Sequence, residues 1–358
     1  MNPDFIIIGG GVIGLSSALE LARGGASVTL LERGLSGMES SWAGGGILSP
    51  LLPWNYPEAV SSLCDLGVQL YPQWSADLLS ISGIDPEFLV SGMLALPPVD
   101  ELVAESWCVQ HGWRHSYESA QQCVPGLAQD SRALWLADVA QVRNPRLVQA
   151  LRVAAQDAGV KLQEGVEVTH AALAEPTCID YLNTTQGKHQ ASAYIMAAGA
   201  WSQSVLGTIA PHWPIKPIRG QMLLFKAAPE LLPHIIYRQG IYLIPRRDGH
   251  ILAGSTIEDV GFDKSTTEAV RQMLYSTATD ILPALRSLPI VQHWSGLRPG
   301  SPDNVPTIAR HPKIANLYAN AGHFRYGVTM APASALLLAD LISGRKPALD
   351  MTAYQWTL

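Results

Sequence analysis

The first 33 residues constrain the fold of this chain more than any other stretch. Residues 5–8 form a short apolar run that is typical of a buried parallel strand. This run leads directly into the turn Gly9-Gly10-Gly11-Val12-Ile13-Gly14. A helical pattern follows, ends at Gly24-Gly25 and is succeeded by a second apolar strand that closes on Glu32. Strand, glycine turn, helix and strand in this order predict a Rossmann-like βαβ unit.

The glycines of this turn have separate physical tasks. Gly9 permits the tight turn, Gly11 lets backbone amides approach a pyrophosphate, and Gly14 lets the helix pack closely on the strand. The helix N-terminus offers unpaired N–H groups to phosphates. Glu32, 18 residues after Gly14, is placed to accept hydrogen bonds from a ribose, and its charge disfavours a 2′-phosphate. The motif therefore predicts a dinucleotide other than NADP, and it does not distinguish NAD from FAD.

Length, composition and charge narrow the class of protein. At 358 residues the chain is long enough for two domains, and 47% hydrophobic against 15% charged residues indicates a well-packed globular protein. A net charge of −6, without a stripe of Lys and Arg, argues against general nucleic-acid binding. Small molecules are therefore the expected partners.

The apolar N-terminus does not read as a targeting segment. It carries Asp4 where a signal peptide has basic residues, and no apolar run approaches the roughly 18 residues that span a bilayer. A cytoplasmic protein is predicted. The four cysteines, Cys64, Cys108, Cys123 and Cys178, show neither C-x-x-C spacing nor clustering with histidine, so we expect reduced structural thiols and no metal site.

Three later stretches of small residues predict close approach of backbone to a ligand. Residues 37–50 are rich in Gly and Ser around Trp42, and apolar flanks favour a ligand contact over the alternative of a flexible linker. Residues 194–202 form an apolar strand that ends in small residues. Residues 321–327 precede a last helix, whose N-terminus is a second candidate dipole site.

Local signals predict how several elements begin and end. An amphipathic helix over residues 57–80 is expected to be interrupted at Pro72, and Asn144 is expected to be the N-cap of another helix. Beyond residue 211 the pattern becomes β, with a hairpin at Asp248-Gly249. The spacing of Ser265 and Glu268 predicts a capping box.

Taken together, these motifs resemble the D-amino-acid oxidase superfamily of flavoproteins, and within it the glycine oxidases, over nearly the whole chain. The resemblance implies an α/β fold in which residues 1–80, 141–210 and 296–358 form a Rossmann-like FAD-binding domain. Residues 81–140 and 211–295 would form an antiparallel β-sheet substrate domain. The motifs that carry the resemblance are the glycine turn with Glu32, Ser41-Trp42-Ala43-Gly44-Gly45-Gly46, Ala198-Gly199-Ala200-Trp201-Ser202, Arg219-Gly220-Gln221, Gly296-Leu297-Arg298-Pro299 and Gly322-His323-Phe324-Arg325-Tyr326-Gly327.

The resemblance implies FAD as the cofactor. It also implies that FAD is bound without a covalent bond, since no cysteine lies in the Gly44 loop (residues 37–50) or in the Gly322 loop (residues 321–327). Glu32 would hold the ADP ribose, Val168 would contact the adenine side through its backbone, and the last helix would point at the flavin N1/C2=O edge. The implied cofactor-binding residues are Gly9, Gly11, Val12, Ile13, Gly14, Glu32, Arg33, Ser40, Ser41, Ala43, Gly44, Gly45, Gly46, Val168, Ala198, Gly199, Trp201, Arg298, His323, Phe324, Arg325, Tyr326, Gly327 and Val328.

For the substrate, the resemblance places Arg298 against a carboxylate, with Arg325 and Tyr242 as further groups of the site. The implied reaction converts glycine, sarcosine or D-alanine to an oxo-acid, ammonia or an amine, and hydrogen peroxide, with O₂ as the expected acceptor. A role in thiamine biosynthesis and a homo-oligomer are both compatible with this activity.

Three alternatives remain open at this point. One is an FAD-dependent D-amino-acid or imino-acid dehydrogenase that uses another acceptor. Another is an NAD-dependent dehydrogenase built on the same first turn. The last is a flavin-bound protein without turnover, acting as a tRNA-modification partner or as a subunit of a larger dehydrogenase.

Overall fold

The structure is a computed structural model that describes residues 2–210 and 212–356. Its strands, numbered in chain order, are β1 Phe5–Ile8, β2 Val28–Glu32, β3 Ile47–Leu48, β4 Leu89–Val90, β5 Met93–Ala95, β6 His115–Ser119, β7 Arg132–Leu136, β8 Ala140–Gln141, β9 Lys161–Glu164, β10 Val168–Glu175, β11 Cys178–Thr184, β12 Gly187–His189, β13 Ala193–Met196, β14 Lys216–Lys226, β15 Ile235–Arg238, β16 Ile241–Pro245, β17 His250–Gly254, β18 Ile290–Gly300, β19 Thr307–Arg310 and β20 Leu317–Ala321. Its α-helices are α1 Val12–Arg23, α2 Ser40–Ala43, α3 Glu58–Ser82, α4 Glu101–Gln110, α5 Ala120–Cys123, α6 Asn144–Asp157, α7 Ser202–Leu206, α8 Glu268–Ile281 and α9 Gly327–Ser343.

A six-stranded sheet contains the predicted βαβ unit. Its order is β19-β20-β13-β1-β2-β9, and all neighbours are parallel except β19 and β20. β1 is buried at Ile6, Ile7 and Ile8, as its apolar run predicts, and α1 packs against α6 and α9. The Rossmann-like start is therefore confirmed. In the described part of the chain, no helix is both long and apolar enough to cross a bilayer.

An eight-stranded sheet forms the second large layer. Its order is β18-β14-β17-β16-β15-β5-β7-β6, with antiparallel neighbours except for the parallel pair β5 and β15. Asp248-Gly249 lies in the hairpin between β16 and β17, as predicted. A small sheet, β3-β8-β4, pairs the strand after the Gly44 loop with the strand before α6.

Three local predictions were wrong. α3 continues through Pro72, because its packing against α9 and α6 outweighs the missing backbone hydrogen bond. Asn144 is the first residue of α6 and not its N-cap, since its side chain donates to the Ser41 carbonyl at 2.8 Å. Ser265 does not form the predicted capping box, because its hydroxyl donates a hydrogen bond to the Asp263 carboxylate at 2.9 Å. The N-cap of α8 is Thr267, whose hydroxyl accepts a hydrogen bond from the Val270 N–H at 3.4 Å.

Candidate active site

A cavity of about 530 Å³ lies where the strand ends of the six-stranded sheet meet β16 and β18. A volume of this size is in the range of small-molecule sites. Most of the residues singled out in the sequence line it: Gly9, Gly11, Val12, Ile13, Glu32, Arg33, Ser40, Ser41, Gly44, Gly45, Gly46, Val168, Ala198, Gly199, Trp201, Tyr242, Arg298, His323, Phe324, Arg325, Tyr326, Gly327 and Val328.

Gly14 and Ala43 do not line the cavity. A side chain on Gly14 would place its Cβ 1.9 Å from the Gly9 carbonyl oxygen, so this residue serves the packing of α1 on the turn. Gly9 has a φ of +109°, which glycine adopts without strain. Ala43 faces β18, where its carbonyl accepts a hydrogen bond from Trp294 Nε1 at 3.1 Å.

The N-terminus of α1 opens onto the cavity. No side chain caps it at Gly11, but the N–H of Val12 donates to the Ser41 hydroxyl at 2.9 Å. Ser41 therefore lies at the helix terminus, which is the predicted phosphate position, and forms a link between the first turn and the Gly44 loop.

Glu32 and Glu167 line what we call the carboxylate region of the cavity. Glu32 is held firmly: Oε2 accepts from the Gly10 N–H at 2.7 Å and Oε1 accepts from the Gly34 N–H at 2.8 Å. Each oxygen retains a further lone pair. The side chain is therefore oriented before any ligand binds and can still accept hydrogen bonds from hydroxyl groups.

Five side chains form a cluster beside this region, which we call the latch: Arg33, Glu39, Trp201, Phe262 and Lys264. The Arg33 guanidinium lies 3.7 Å from the centre of the Trp201 ring. Trp201 also stacks on Phe262, with ring centres 5.5 Å apart. Glu39 binds both Arg33, at 2.9 Å, and Lys264, at 3.1 Å. The latch thus joins the segment after β17 to residues that line the cavity.

Tyr242, Arg298 and Arg325 line what we call the arginine region. Arg298, on β18, donates from Nη2 to the Ser255 hydroxyl at 2.7 Å and from Nη1 to the Thr256 carbonyl at 3.0 Å. Burial lowers the pKa of Arg298, Arg325 lowers it further, and Tyr242 partly offsets both effects. The hydrogen-bond partners of the guanidinium among the described residues are neutral, so its charge is oriented but not neutralised.

Arg219, on the neighbouring strand β14, is a buried arginine whose charge is neutralised by acids of the chain. It is 4% exposed and binds two carboxylates, Glu258 and Asp263, each at 2.7 Å. Arg298, by contrast, makes no ion pair with any residue in the described ranges 2–210 and 212–356. The guanidinium of Arg298 is therefore free to pair with an anion from outside the chain.

The N-terminus of α9 is the second helix terminus at the cavity. Gly327, Val328 and Thr329 line it, and no side chain caps the helix. His323, in the preceding loop, is fully buried with its Nε2 2.9 Å from the Ser334 hydroxyl. Burial lowers the pKa of His323 to about 3. This imidazole is therefore neutral and adds no charge beside the helix dipole.

Sequence reasoning missed residues that hold the Gly44 loop in place. The buried Arg246 donates to the Gly45 carbonyl at 2.6 Å and to the Val142 carbonyl at 2.9 Å, and burial lowers its pKa to about 10. Asn144 anchors the same loop through Ser41. A charged residue directly after an apolar strand and a polar residue before proline were the available signals, but only the fold shows what they contact.

Comparisons with known proteins agree with this geometry. The family model DAO, FAD dependent oxidoreductase, matches residues 4–341. The glycine oxidase of Pseudomonas aeruginosa is 43% identical over 99% of this chain and 98% of that protein. The bifunctional protein ThiO/ThiG of Trichormus variabilis is 36% identical over 97% of this chain but only 53% of that protein.

The fold agrees as well. The crystal structure of glycine oxidase from Geobacillus kaustophilus superposes with a TM-score of 0.93, at 27% identity, over 99% of this chain and 98% of that one. The family match over residues 4–341 includes the glycine turn, the Gly44 loop, the β18 arginine and the α9 terminus, which meet at one cavity. This chain therefore belongs to the DAO family of FAD-dependent oxidoreductases.

Proposed function

We propose that this enzyme oxidises glycine and other small amino acids, such as sarcosine and D-alanine, to the oxo-acid with release of ammonia or an amine. The observation that carries the proposal is the oriented but unneutralised guanidinium of Arg298 in the cavity. A planar guanidinium with two fixed Nη atoms suits a carboxylate. The similarity to proteins named glycine oxidase supports the same substrate class.

The cavity fits the cofactor of this family. The N-terminus of α1 suits the pyrophosphate, Glu32 suits a ribose, and the N-terminus of α9 suits the flavin edge that becomes negative. When bound, FAD supplies the acceptor for a hydride from the substrate Cα. None of the cavity-lining residues in the described part of the chain is a cysteine, so we propose noncovalent binding.

The chain's own residues contribute position and charge. Arg298 binds the carboxylate, Tyr242 borders the same space, and together they orient the Cα–H bond. The acids on the described lining, Glu32, Glu39 and Glu167, belong to the carboxylate region and the latch, and the histidine is held neutral. We infer that the substrate amine loses its proton to solvent and reacts with its lone pair free.

Several finer points belong to the same proposal. We propose O₂ as electron acceptor, with hydrogen peroxide as product, and a role in thiamine biosynthesis that the similarity to ThiO/ThiG supports. We keep the division into a cofactor domain of residues 1–80, 141–210 and 296–358 and a substrate domain of residues 81–140 and 211–295. Strand β18 runs through the boundary at residue 296. Cytoplasmic location and homo-oligomerisation remain predictions.

The proposal is tested with a substrate panel assayed twice, once with O₂ and once with an artificial electron acceptor. Under O₂, glycine, sarcosine and D-alanine should each be oxidised with release of one hydrogen peroxide for every substrate molecule consumed. Turnover with the artificial acceptor alone would favour the dehydrogenase alternative. No turnover of any of the three under either condition would contradict the assignment.

A further inference from the structure

Arg325 is a second cation on the same cavity, and no acid among the described residues forms an ion pair with it. Within residues 2–210 and 212–356 it forms no ion pair, and its one hydrogen bond runs from Nη1 to the Tyr56 hydroxyl at 3.4 Å. A guanidinium has five N–H donors, so most of them are free. A partly buried charged side chain rarely lacks an ionic partner unless a ligand supplies the opposite charge.

The surroundings of Arg325 suit an anion. The phenol side chains near the Arg325 guanidinium are those of Tyr326, Tyr56, Tyr242 and Tyr237. Tyr56 and Tyr326 pack edge to face, with ring centres 5.1 Å apart, which fixes both rings. Phenol hydroxyls can donate to a carboxylate but carry no charge of their own at neutral pH.

Arg298 and Arg325 are close neighbours. The N–H of Phe324 donates to the Pro299 carbonyl at 3.0 Å, which ties the loop before α9 to the strand that carries Arg298. Arg325 is one of the causes that lower the pKa of Arg298, so the two like charges repel. The single carboxylate of glycine neutralises one guanidinium and leaves the other uncompensated.

We propose that Arg325 binds a second carboxylate, so that the enzyme prefers small amines with two carboxylates over their counterparts with one. This inference rests on the proposed function. For iminodiacetate, a Cα–H bond would break as the C=N bond forms, the bound FAD would supply the hydride acceptor, and the amine proton would pass to solvent. Water would then add to the C=N bond, and cleavage of the C–N bond would give glycine and glyoxylate. O₂ takes the two electrons and two protons and becomes hydrogen peroxide.

The first test compares matched ligands on the FAD-loaded enzyme under anaerobic rapid mixing. Iminodiacetate is compared with sarcosine, and D-aspartate with D-alanine, by the concentration dependence of flavin bleaching. Iminodiacetate should bind about tenfold or more tightly than sarcosine. The D-aspartate pair shows whether a second carboxylate attached at Cα is preferred as well. Binding of iminodiacetate that is equal to or weaker than that of sarcosine would overturn the inference.

A second test needs no turnover. Diglycolate and methoxyacetate are ether analogues of iminodiacetate and sarcosine, and their binding is followed by the change in the flavin spectrum. Diglycolate should bind about tenfold or more tightly. If glycine and all four amines fail to reduce the flavin, the proposed function fails, whereas a lost preference for diglycolate overturns only the role of Arg325.

Variants assign the preference to Arg325. Arg325→Met should bring the diglycolate-to-methoxyacetate affinity ratio down about tenfold, Arg325→Lys should keep part of it, and Arg286→Met, at an exposed site, should leave it unchanged. If Arg325→Met shifts the flavin reduction potential or the pH profile but not this ratio, Arg325 compensates the charge of the cofactor and the inference is wrong.

Discussion

The carboxylate region and the arginine region of the cavity hold their charges in different ways. Glu32 is fixed by two backbone N–H groups, from Gly10 and Gly34, that lie close to it in the βαβ unit. Arg298 is fixed by Ser255 and Thr256, which come from a segment about forty residues earlier in the chain. One region is built by a local motif, and the other is built by tertiary structure.

This difference has a functional meaning. The carboxylate of Glu32 is already partnered and can bind a ligand only through its remaining lone pairs, so it adds hydrogen bonds to a site that is largely complete. The guanidinium of Arg298 has no opposite charge beside it in the described part of the chain, so a bound anion would be its first ionic partner. We therefore expect changes in the carboxylate region to weaken cofactor binding, and changes in the arginine region to weaken substrate binding.

The largest effect is expected at Arg298. Arg298→Ala removes one partner of a buried charge pair, which costs about 2 to 5 kcal/mol, so kcat/KM for glycine should fall about thirtyfold to several thousandfold. Arg298→Lys should restore only part of the lost kcat/KM, because lysine cannot form the bidentate contact with a carboxylate. Steady-state kinetics measures this, with Arg286→Ala as a control at an exposed site. Unchanged glycine turnover in Arg298→Ala would remove this residue from the substrate site.

A smaller effect is expected at Glu32. Glu32→Ala removes charge-assisted hydrogen bonds worth about 1.5 to 3 kcal/mol, so the Kd for FAD should rise about tenfold to a hundredfold. Glu32→Gln should weaken FAD binding less than Glu32→Ala, because the amide oxygen can still accept a hydrogen bond from Gly10 or Gly34. FAD titration of the apoprotein measures both, and the exposed Glu175→Ala is the control. Equal affinity in all three variants would contradict the predicted role of Glu32.

The buried imidazole of His323 should make stability depend on pH. Its pKa is about 3 in the folded enzyme, whereas an unfolded histidine titrates near about 6.5. As pH falls below about 6.5, only the unfolded chain gains the proton, so the free energy of unfolding should drop by about 1.4 kcal/mol per pH unit. His323→Gln should lack this contribution. Urea unfolding of both FAD-loaded proteins at about pH 7 and about pH 5 measures the difference; parallel losses would show that His323 is not the cause.

The smallest effect is expected at the latch. Phe262→Ala removes the stack on Trp201, a contact worth about 0.5 to 1.5 kcal/mol, so FAD should dissociate about two to ten times faster. Lys264→Ala breaks a partly exposed ion pair with Glu39 and should increase the rate of FAD dissociation less than Phe262→Ala does. Val260→Ala, an exposed residue of the same segment, should not change the rate. FAD release rates equal in Phe262→Ala and Val260→Ala would mean that the latch does not restrain the cofactor.

The same contrast explains what could be predicted from the sequence. The βαβ unit and the position of Glu32 follow from spacing within 33 residues, and both are found in the structure. The fold class and the FAD requirement followed from the resemblance. No local pattern places Arg298 beside Ser255 or Arg246 beside Gly45, because these contacts depend on strand register and burial. Asn144 shows the reverse error: its local cap signal was overridden by a tertiary hydrogen bond to Ser41.

We propose that this cavity brings FAD and an amino-acid carboxylate together at Arg298. Anaerobic mixing of the FAD-loaded enzyme with glycine, and separately with methylamine, tests it most directly, because methylamine is an amine of similar size without the carboxylate. Glycine should bleach the visible flavin absorbance, and methylamine at the same concentration should not. Bleaching by methylamine as fast as by glycine, or flavin colour that glycine leaves unchanged, would show that Arg298 does not bring a substrate carboxylate to the flavin.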